Sequence, residues 1–384
     1  MACIKTRFLI LSDTYGKDVA VARNIPNIDV VIHCGNLTKD SELGEFDQTI
    51  KMLNAVDAPV KIAIPGSLDL ALEPTGYEEL FVHSPVSHTI FEKMHGEYGE
   101  ARKRFQRAGI HLLGEGFREF QLENGAVLNL FASQYTPRWT EERGVTYRYN
   151  LGSHHFDVPS NVDVAITHGP PAGVLDIPAP VPDSDTDSRE PLGCPNLFSA
   201  IARAKPKLHC FGLVHGNWGS ELVSWKPLPP LGVRRTRANA VDECMSCEVT
   251  RLEDFVITTA DLKAGDQGKV EERKVCERRG FVYANPLAPT PDPATSGSGN
   301  GNGSGSTDAK GKGKGEKEDK LVLPARGETL FVNAAMEAVD QPRHLPFVAE
   351  IGLPMSQERK IQLLLESISR LGFESNEGQA GQAC

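Results

Sequence analysis

The sequence predicts a layered α/β domain, and three observations carry that expectation. Short β-rich runs alternate with longer helix-like stretches over the first 225 residues. Each early strand empties into a polar, glycine-containing loop, and a strong hairpin signal adds strands beside them. Arg7–Leu11, Asp29–His33 and Val60–Ile64 read as buried strands. Between the last two, Leu43, Phe46, Ile50, Leu53 and Val56 recur at helical spacing, which suits a crossover helix. Asn124-Gly125, between Phe120–Leu122 and Val127–Leu130, is the hairpin signal. Val162–Ile166 and Leu208–Phe211 supply two further strands.

Five loops follow these strands: Ser12–Gly16, Cys34-Gly35-Asn36, Gly66–Asp69, Thr167–Pro171 and Gly212–Gly216. Ligands of open α/β sheets sit beyond the carboxyl ends of strands, so the loops are expected to converge on one site. Beyond Trp225 the pattern weakens, with a strand pair expected at Cys247–Arg251 and Phe255–Thr259. Residues 286–324 are Pro-rich, then Gly/Ser/Asn-rich, then Gly/Lys-rich, a composition that cannot bury enough apolar surface to fold. Thr329–Asn333 and Pro346–Ile351 read as returning strands. The expected organisation is one discontinuous domain of residues 1–225 and 325–355. A partly ordered insertion (226–285), a linker (286–324) and a C-terminal helix and tail (356–384) complete it. In that helix Ser356 stands at the start, Gly372 at the end, and Ile361, Leu364, Leu365, Ile368 and Leu371 share a face expected to pack on the domain.

A formal charge of −10 disfavours general affinity for nucleic-acid phosphates. No run approaches the roughly 18 to 20 apolar residues of a membrane span, and Phe8–Leu11 is too short for a signal-peptide core. Eight scattered cysteines, with Cys34 and Cys210 in apolar runs, suit reduced thiols, and Cys384 does not form a prenylation box. A cytoplasmic protein acting on a small molecule or nucleotide, with no nucleic-acid or membrane partner, is the expectation.

The five loops resemble those of the calcineurin-like metallophosphoesterase superfamily, on the branch of the metallophosphoesterase-domain-containing proteins. That pattern reads D-x-H, G-D-x-x, G-N-H-D/E, T-H-G-P-P and G-H-x-H, and the likeness covers residues 5–225 and 327–353. It takes in Asp187-Ser188-Arg189, Gly193-Cys194 and the strand Thr329–Ala334. The resemblance implies a phosphoesterase β-sandwich flanked by helices, two metal ions and phosphoester hydrolysis. Asp13, His168 and His215 match the family's ligands. The first-motif histidine is Tyr15, the bridging aspartate Asn36, the third-motif asparagine and histidine Ser67 and Leu68, and the first histidine of the last motif Leu213.

A bridging aspartate offers two anionic oxygens to two cations about 3.5–4 Å apart, whereas an amide offers one neutral oxygen. The expectation is therefore a degenerate site with one weak ion at most, divalent or ferric (Mn, Fe or Zn), on Asp13, Asn36 and His215. Tyr15 would add a phenolate only to a strongly acidic ion, and Leu68 removes the histidine that assists the leaving group. The framework glycines and Asp69 are intact, which points to a pocket reshaped on a kept scaffold. Three functions fit: a one-metal phosphoesterase, a metal-independent acid/base enzyme using Asp13, Tyr15, His168 and His215, or a non-catalytic nucleotide-binding pseudoenzyme. Ser67, Leu68, Asp69 and Leu213 are expected to line the pocket, and Arg138 and Trp139 to close over it from a loop. Cys244-x-x-Cys247 has only Cys276 as a plausible further zinc ligand, so free thiols are expected. His154-His155 and Asp183–Asp187 read as surface loop, Gly311–Lys320 as solvated linker, and His33, His111 and His209 as structural.

Overall fold

The computed structural model describes residues 3–17, 25, 27–138, 145–178, 189–227, 235–251, 276, 281–285, 323–325, 327–336 and 344–374. Strand β1 (Cys3–Leu11) carries side chains alternately to opposite faces, and both faces are buried at its end. Phe8 and Ile10 point into one hydrophobic cluster, Leu9 and Leu11 into another. That double burial explains why the early strands read as unbroken apolar runs.

β1 pairs in parallel with β2 (Val30–His33), then β3 (Val60–Ala63) and β4 (His111–Leu112) follow. On the other edge β15 (Phe347–Pro354) lies antiparallel to β1, and β13 (Val282–Tyr283) closes a six-stranded sheet. The second sheet has seven strands in the order β12 (Cys247–Arg251), β11 (Gly219–Ser224), β14 (Glu328–Asn333), β10 (Leu208–Phe211), β9 (Val164–Thr167), β6 (Val127–Ser133) and β5 (Gly116–Gln121). The two sheets bury one shared core, with Phe8, Ile10 and Ile32 of the first meeting Leu130, Ile166 and Val332 of the second. The outer face of the first sheet packs on helices α1 (Leu43–Asn54) and α4 (Glu100–Arg107), through Phe46, Leu53 and Phe105. Helix α5 (Pro195–Ala204) covers the second sheet with Phe198 and Ile201. The result is a β-sandwich between helical layers. Helices α2 (Pro74–His83) and α3 (His88–His95) lie between β3 and α4 in sequence, and a short strand pair, β7 (Thr136–Arg138) and β8 (Arg148–Asn150), stands apart.

The returning strands insert where the sandwich needs them: β14 between β10 and β11, β15 beside β1. β12 and β13 come from residues 226–285 and extend one sheet each. The expected strand Phe255–Thr259, residues 286–322, Asp183–Asp187 and Trp139 lie outside the described residues. No helix among the described residues is long and apolar enough to cross a membrane.

One expectation needs correction. The C-terminal helix α6 (Gln357–Glu374) runs past Gly372, and its apolar stripe is not covered: Ile361, Leu364 and Leu365 are 56%, 63% and 60% exposed. Its start does follow the sequence, with Arg359 N–H donating to Ser356 Oγ at 3.1 Å. His154 and His155 do lie in a loop, with His155 exposed and His154 half-buried. The His154 ring stacks on Tyr149 at 4.8 Å, and its Nε2 meets the Glu115 carboxylate at 2.8 Å.

Candidate functional site

β1, β2 and β3 run parallel in one sheet and β9 and β10 parallel in the other, and backbone hydrogen bonds bring the loops after them together. Asp13 N–H donates to Gly35 O at 2.9 Å and Gly212 N–H to His168 O at 3.1 Å. His168 Nδ1–H donates across the sandwich to Cys34 O at 2.9 Å. Two glycines permit this closeness. A Cβ on Gly212 would stand 2.0 Å from Ser12 Oγ and 2.4 Å from Asp13 Oδ2, and one on Gly66 would stand 2.0 Å from Asn36 N.

Asp13 is fully buried at the centre. Its Oδ1 accepts from Asn36 Nδ2 at 2.7 Å and from Tyr15 Oη at 3.5 Å, while Oδ2 accepts from Leu213 N–H at 2.9 Å. Tyr15 Oη lies 2.9 Å from His215 Nε2, and that nitrogen is 3.8 Å from Asp13 Oδ1. Asn36 Oδ1 accepts from Leu68 N–H at 3.0 Å and Ser67 Oγ at 3.5 Å. An N–H on one side and a carboxylate on the other fix which way the amide faces. Ser67 Oγ also lies 3.5 Å from His168 Nε2. Four side-chain-bearing residues here hold left-handed backbone: Asp13 (φ 56°), Tyr15 (φ 53°), Asn36 (φ 52°) and Leu213 (φ 69°). Such conformations cost on the order of 1–2 kcal/mol each and persist where neighbours over-determine them, as at functional sites.

The electrostatics follow from that network. Burial alone would raise Asp13, but the hydrogen bond and charge of His215 and the Leu213 amide hold its carboxyl well below the usual range. Burial, reinforced by the Asp13 charge, pushes the Tyr15 phenol far up, so it stays protonated. Burial likewise lowers His168 despite the Asp13 charge, and with Nδ1–H spent on Cys34 its Nε2 is a neutral acceptor. Behind the cleft, burial pulls His33 down to about 3, and its Nε2 bonds Thr14 Oγ1 at 2.9 Å.

Asp13, Tyr15, Asn36, Ser67, Leu68, His168, Leu213 and His215 thus come together through these bonds. Asp69 does not line the cleft as expected. It is buried behind the third loop, accepting from Gly66 N–H (2.7 Å), Leu37 N–H (3.0 Å), Thr38 N–H (2.9 Å) and Thr38 Oγ1 (2.7 Å). It is a positioning residue, and burial raises its carboxyl to about 6 against those donors. Arg138 is exposed on strand β7, opposite Asn150, and not in a loop. Thr136, which the pattern did not single out, is buried on the same strand, and among the described residues its Oγ1 has no hydrogen-bond partner. Its methyl and the Leu213 side chain both face Gly169. No sequence signal marks it, because β7 is only three residues long.

No family model matches the chain. Among curated proteins it is 28% identical over 228 residues to a UPF0046 protein of Caenorhabditis elegans, covering 56% of this chain and 70% of that one. It is 25% identical over 228 residues to the Homo sapiens Metallophosphoesterase domain-containing protein 1, covering 56% of this chain and 62% of that one. Over that length the chain is similar to proteins of the calcineurin-like metallophosphoesterase superfamily. A 26% match over 221 residues to a probable rhamnogalacturonate lyase C of Emericella nidulans covers 57% of this chain but 18% of that protein, so its named activity is not carried over. Within the metallophosphoesterase fold, the loops of this chain are the ones expected to hold the site.

Proposed function

We propose that this metallophosphoesterase-fold chain is a metal-independent acid/base enzyme acting on a small molecule with an apolar face. The observation that carries the reading is the orientation of Asn36. Its carbonyl is committed to Leu68 N–H, so its amide hydrogens point at Asp13 Oδ1 across 2.7 Å. Partial positive charge thereby faces the Asp13 carboxylate from the side where a bridging carboxylate would meet two cations.

The remaining donors do not fit a metal pair. On one side stand Asp13 and His215, with a phenol that burial keeps protonated. On the other, His168 Nε2 faces the Ser67 hydroxyl at 3.5 Å, and a serine hydroxyl is a poor metal ligand. Among the described residues, no three His, Cys, Asp or Glu side chains gather as a metal cluster. A single Mn, Fe or Zn ion between Asp13 and His215 is the second reading, favoured by their 3.8 Å separation. It would require Asn36 to turn its oxygen inward and give up the Leu68 bond.

The same residues suit proton transfer. Tyr15 is a neutral donor joined to His215, and His168 Nε2 is a neutral acceptor held in one tautomer. Leu68 and Leu213 supply the apolar wall. This chemistry fits a cyclisation, dehydration or isomerisation, and a cytoplasmic setting suits the free cysteines.

The test incubates chelator-treated protein with a small-molecule extract of the source cells and follows it by untargeted mass spectrometry. An isomeric or dehydrated product formed with chelator present, and lost in Tyr15→Phe and His215→Ala, supports the reading. Turnover of a phosphodiester that appears only on adding manganese overturns it in favour of the one-metal enzyme.

A further inference from the structure

A second cavity, of about 690 Å³, opens between the Lys39–Glu42 turn, α2 and α3. Its lining shares no residue with the cleft, and the Lys39–Glu42 turn meets the cleft's third loop where Ser41 Oγ–H donates to Leu68 O at 2.9 Å. The volume lies within the roughly 300–1,000 Å³ of small-molecule sites. Leu70, Leu80, Val86 and Met94 give it an apolar body, and Phe81 (43% exposed) and Ile90 (48% exposed) leave neighbouring apolar surface unburied.

One polar group in this wall is committed on one side only. His95 is 7% exposed and stacks on Phe91 at 4.6 Å. Its Nδ1–H donates to Ser41 O at 3.0 Å, which leaves Nε2 as a lone-pair acceptor with no hydrogen bond among the described residues. The charged lining is acidic, with Asp40, Glu42 and Glu79 against Lys39. An acceptor nitrogen, surplus carboxylates and an apolar floor together select a ligand that donates hydrogen bonds, carries positive charge and has an apolar body.

We propose that this cavity is a second ligand site, separate from the cleft, for a small apolar amine. The ammonium group donates to His95 Nε2 and neutralises the carboxylates of Asp40 and Glu42, while the hydrocarbon portion lies on Leu80, Val86 and Met94. A carboxylic acid of the same shape meets like charge, and the alcohol satisfies His95 without balancing the carboxylates.

The experiment titrates 2-phenylethylamine, 2-phenylethanol and phenylacetate into the full chain labelled at its methionine methyls, with chelator present. The Met94 signal is assigned from the Met94→Leu spectrum. The expected result is a saturable Met94 shift with the amine, roughly tenfold weaker binding of the acid for the loss of one favourable charge contact, and no shift in Val86→Trp. Val86 is 37% exposed, so the larger ring has room to fold and fill the cavity. Should that variant not fold, Asp40→Asn is expected to weaken the amine by about threefold and leave the alcohol unchanged. No saturable shift, equal response to all three probes, or a shift that survives in folded Val86→Trp would overturn the proposal.

Discussion

Replacing Asn36 by Asp tests what the amide does in the cleft. In the native chain Asn36 Nδ2–H meets the Asp13 carboxylate at 2.7 Å, and both residues are buried. The variant puts two carboxyls at that separation, and like charges so close cannot both ionise. The new carboxyl takes up a proton and donates in the amide's place. Holding a carboxyl of ordinary pKa near 3.9 protonated at pH 7 costs about 4 kcal/mol, at about 1.4 kcal/mol per pH unit. The folded variant therefore binds one proton more than its unfolded chain between roughly pH 4 and 7, so its stability falls as pH rises through that window. Relative to the native chain, urea unfolding with chelator present should show a deficit of about 4 kcal/mol at pH 7 and about 1.5 kcal/mol at pH 5. Added manganese should return stability to the variant and leave the native chain unchanged. A deficit below about 1 kcal/mol with no pH dependence would mean that the amide does not supply the charge that Asp13 requires.

Other consequences follow from the same geometry. Tyr15→Phe removes the bond to His215 and one donor to Asp13. It should cost no more than about 1–2 kcal/mol of stability while lowering turnover by about 10² or more, as melting curves and rates on the identified substrate would show. Gly212→Ala drives a Cβ to 2.0 Å from Ser12 Oγ, and the buried site cannot give way. A loss of about 3 kcal/mol or more is expected in urea unfolding, and a loss under about 1 kcal/mol would show that the loops can separate. Burial holds His33 and His209 near 3, below the unfolded value of 6.5. The unfolded chain thus binds more protons between pH 6.5 and 3, and stability falls as pH drops through that window, by about 2 kcal/mol per histidine at pH 5. A flat stability profile from pH 7 to 5 in native protein, set against His209→Gln, would contradict it.

The sandwich was legible wherever strands are buried on both faces, because such strands need continuous apolar runs and leave them in the sequence. The hairpin at Asn124-Gly125 and the cap at Ser356 were legible for local reasons, since both depend on residues a few positions apart. The cleft was legible because Asp13, Asn36, His168 and His215 each follow a strand directly. What stayed hidden depends on distant partners. Asp69 matches a site motif, yet its carboxylate is absorbed by the backbone of Gly66, Leu37 and Thr38, which spacing does not show. His154 is loop, as its sequence suggests, but its contacts with Tyr149 and Glu115 cannot be read from spacing. The apolar stripe of α6 has the period of a packed helix, but period reports amphipathicity and not whether a partner surface lies within the same chain.

Metal content measured after purification and equilibration with manganese and zinc tests whether the Asp13–Asn36 contact replaces a metal pair. Well under one equivalent of either ion is the predicted result. Two tightly held equivalents per chain, retained through gel filtration, would contradict it.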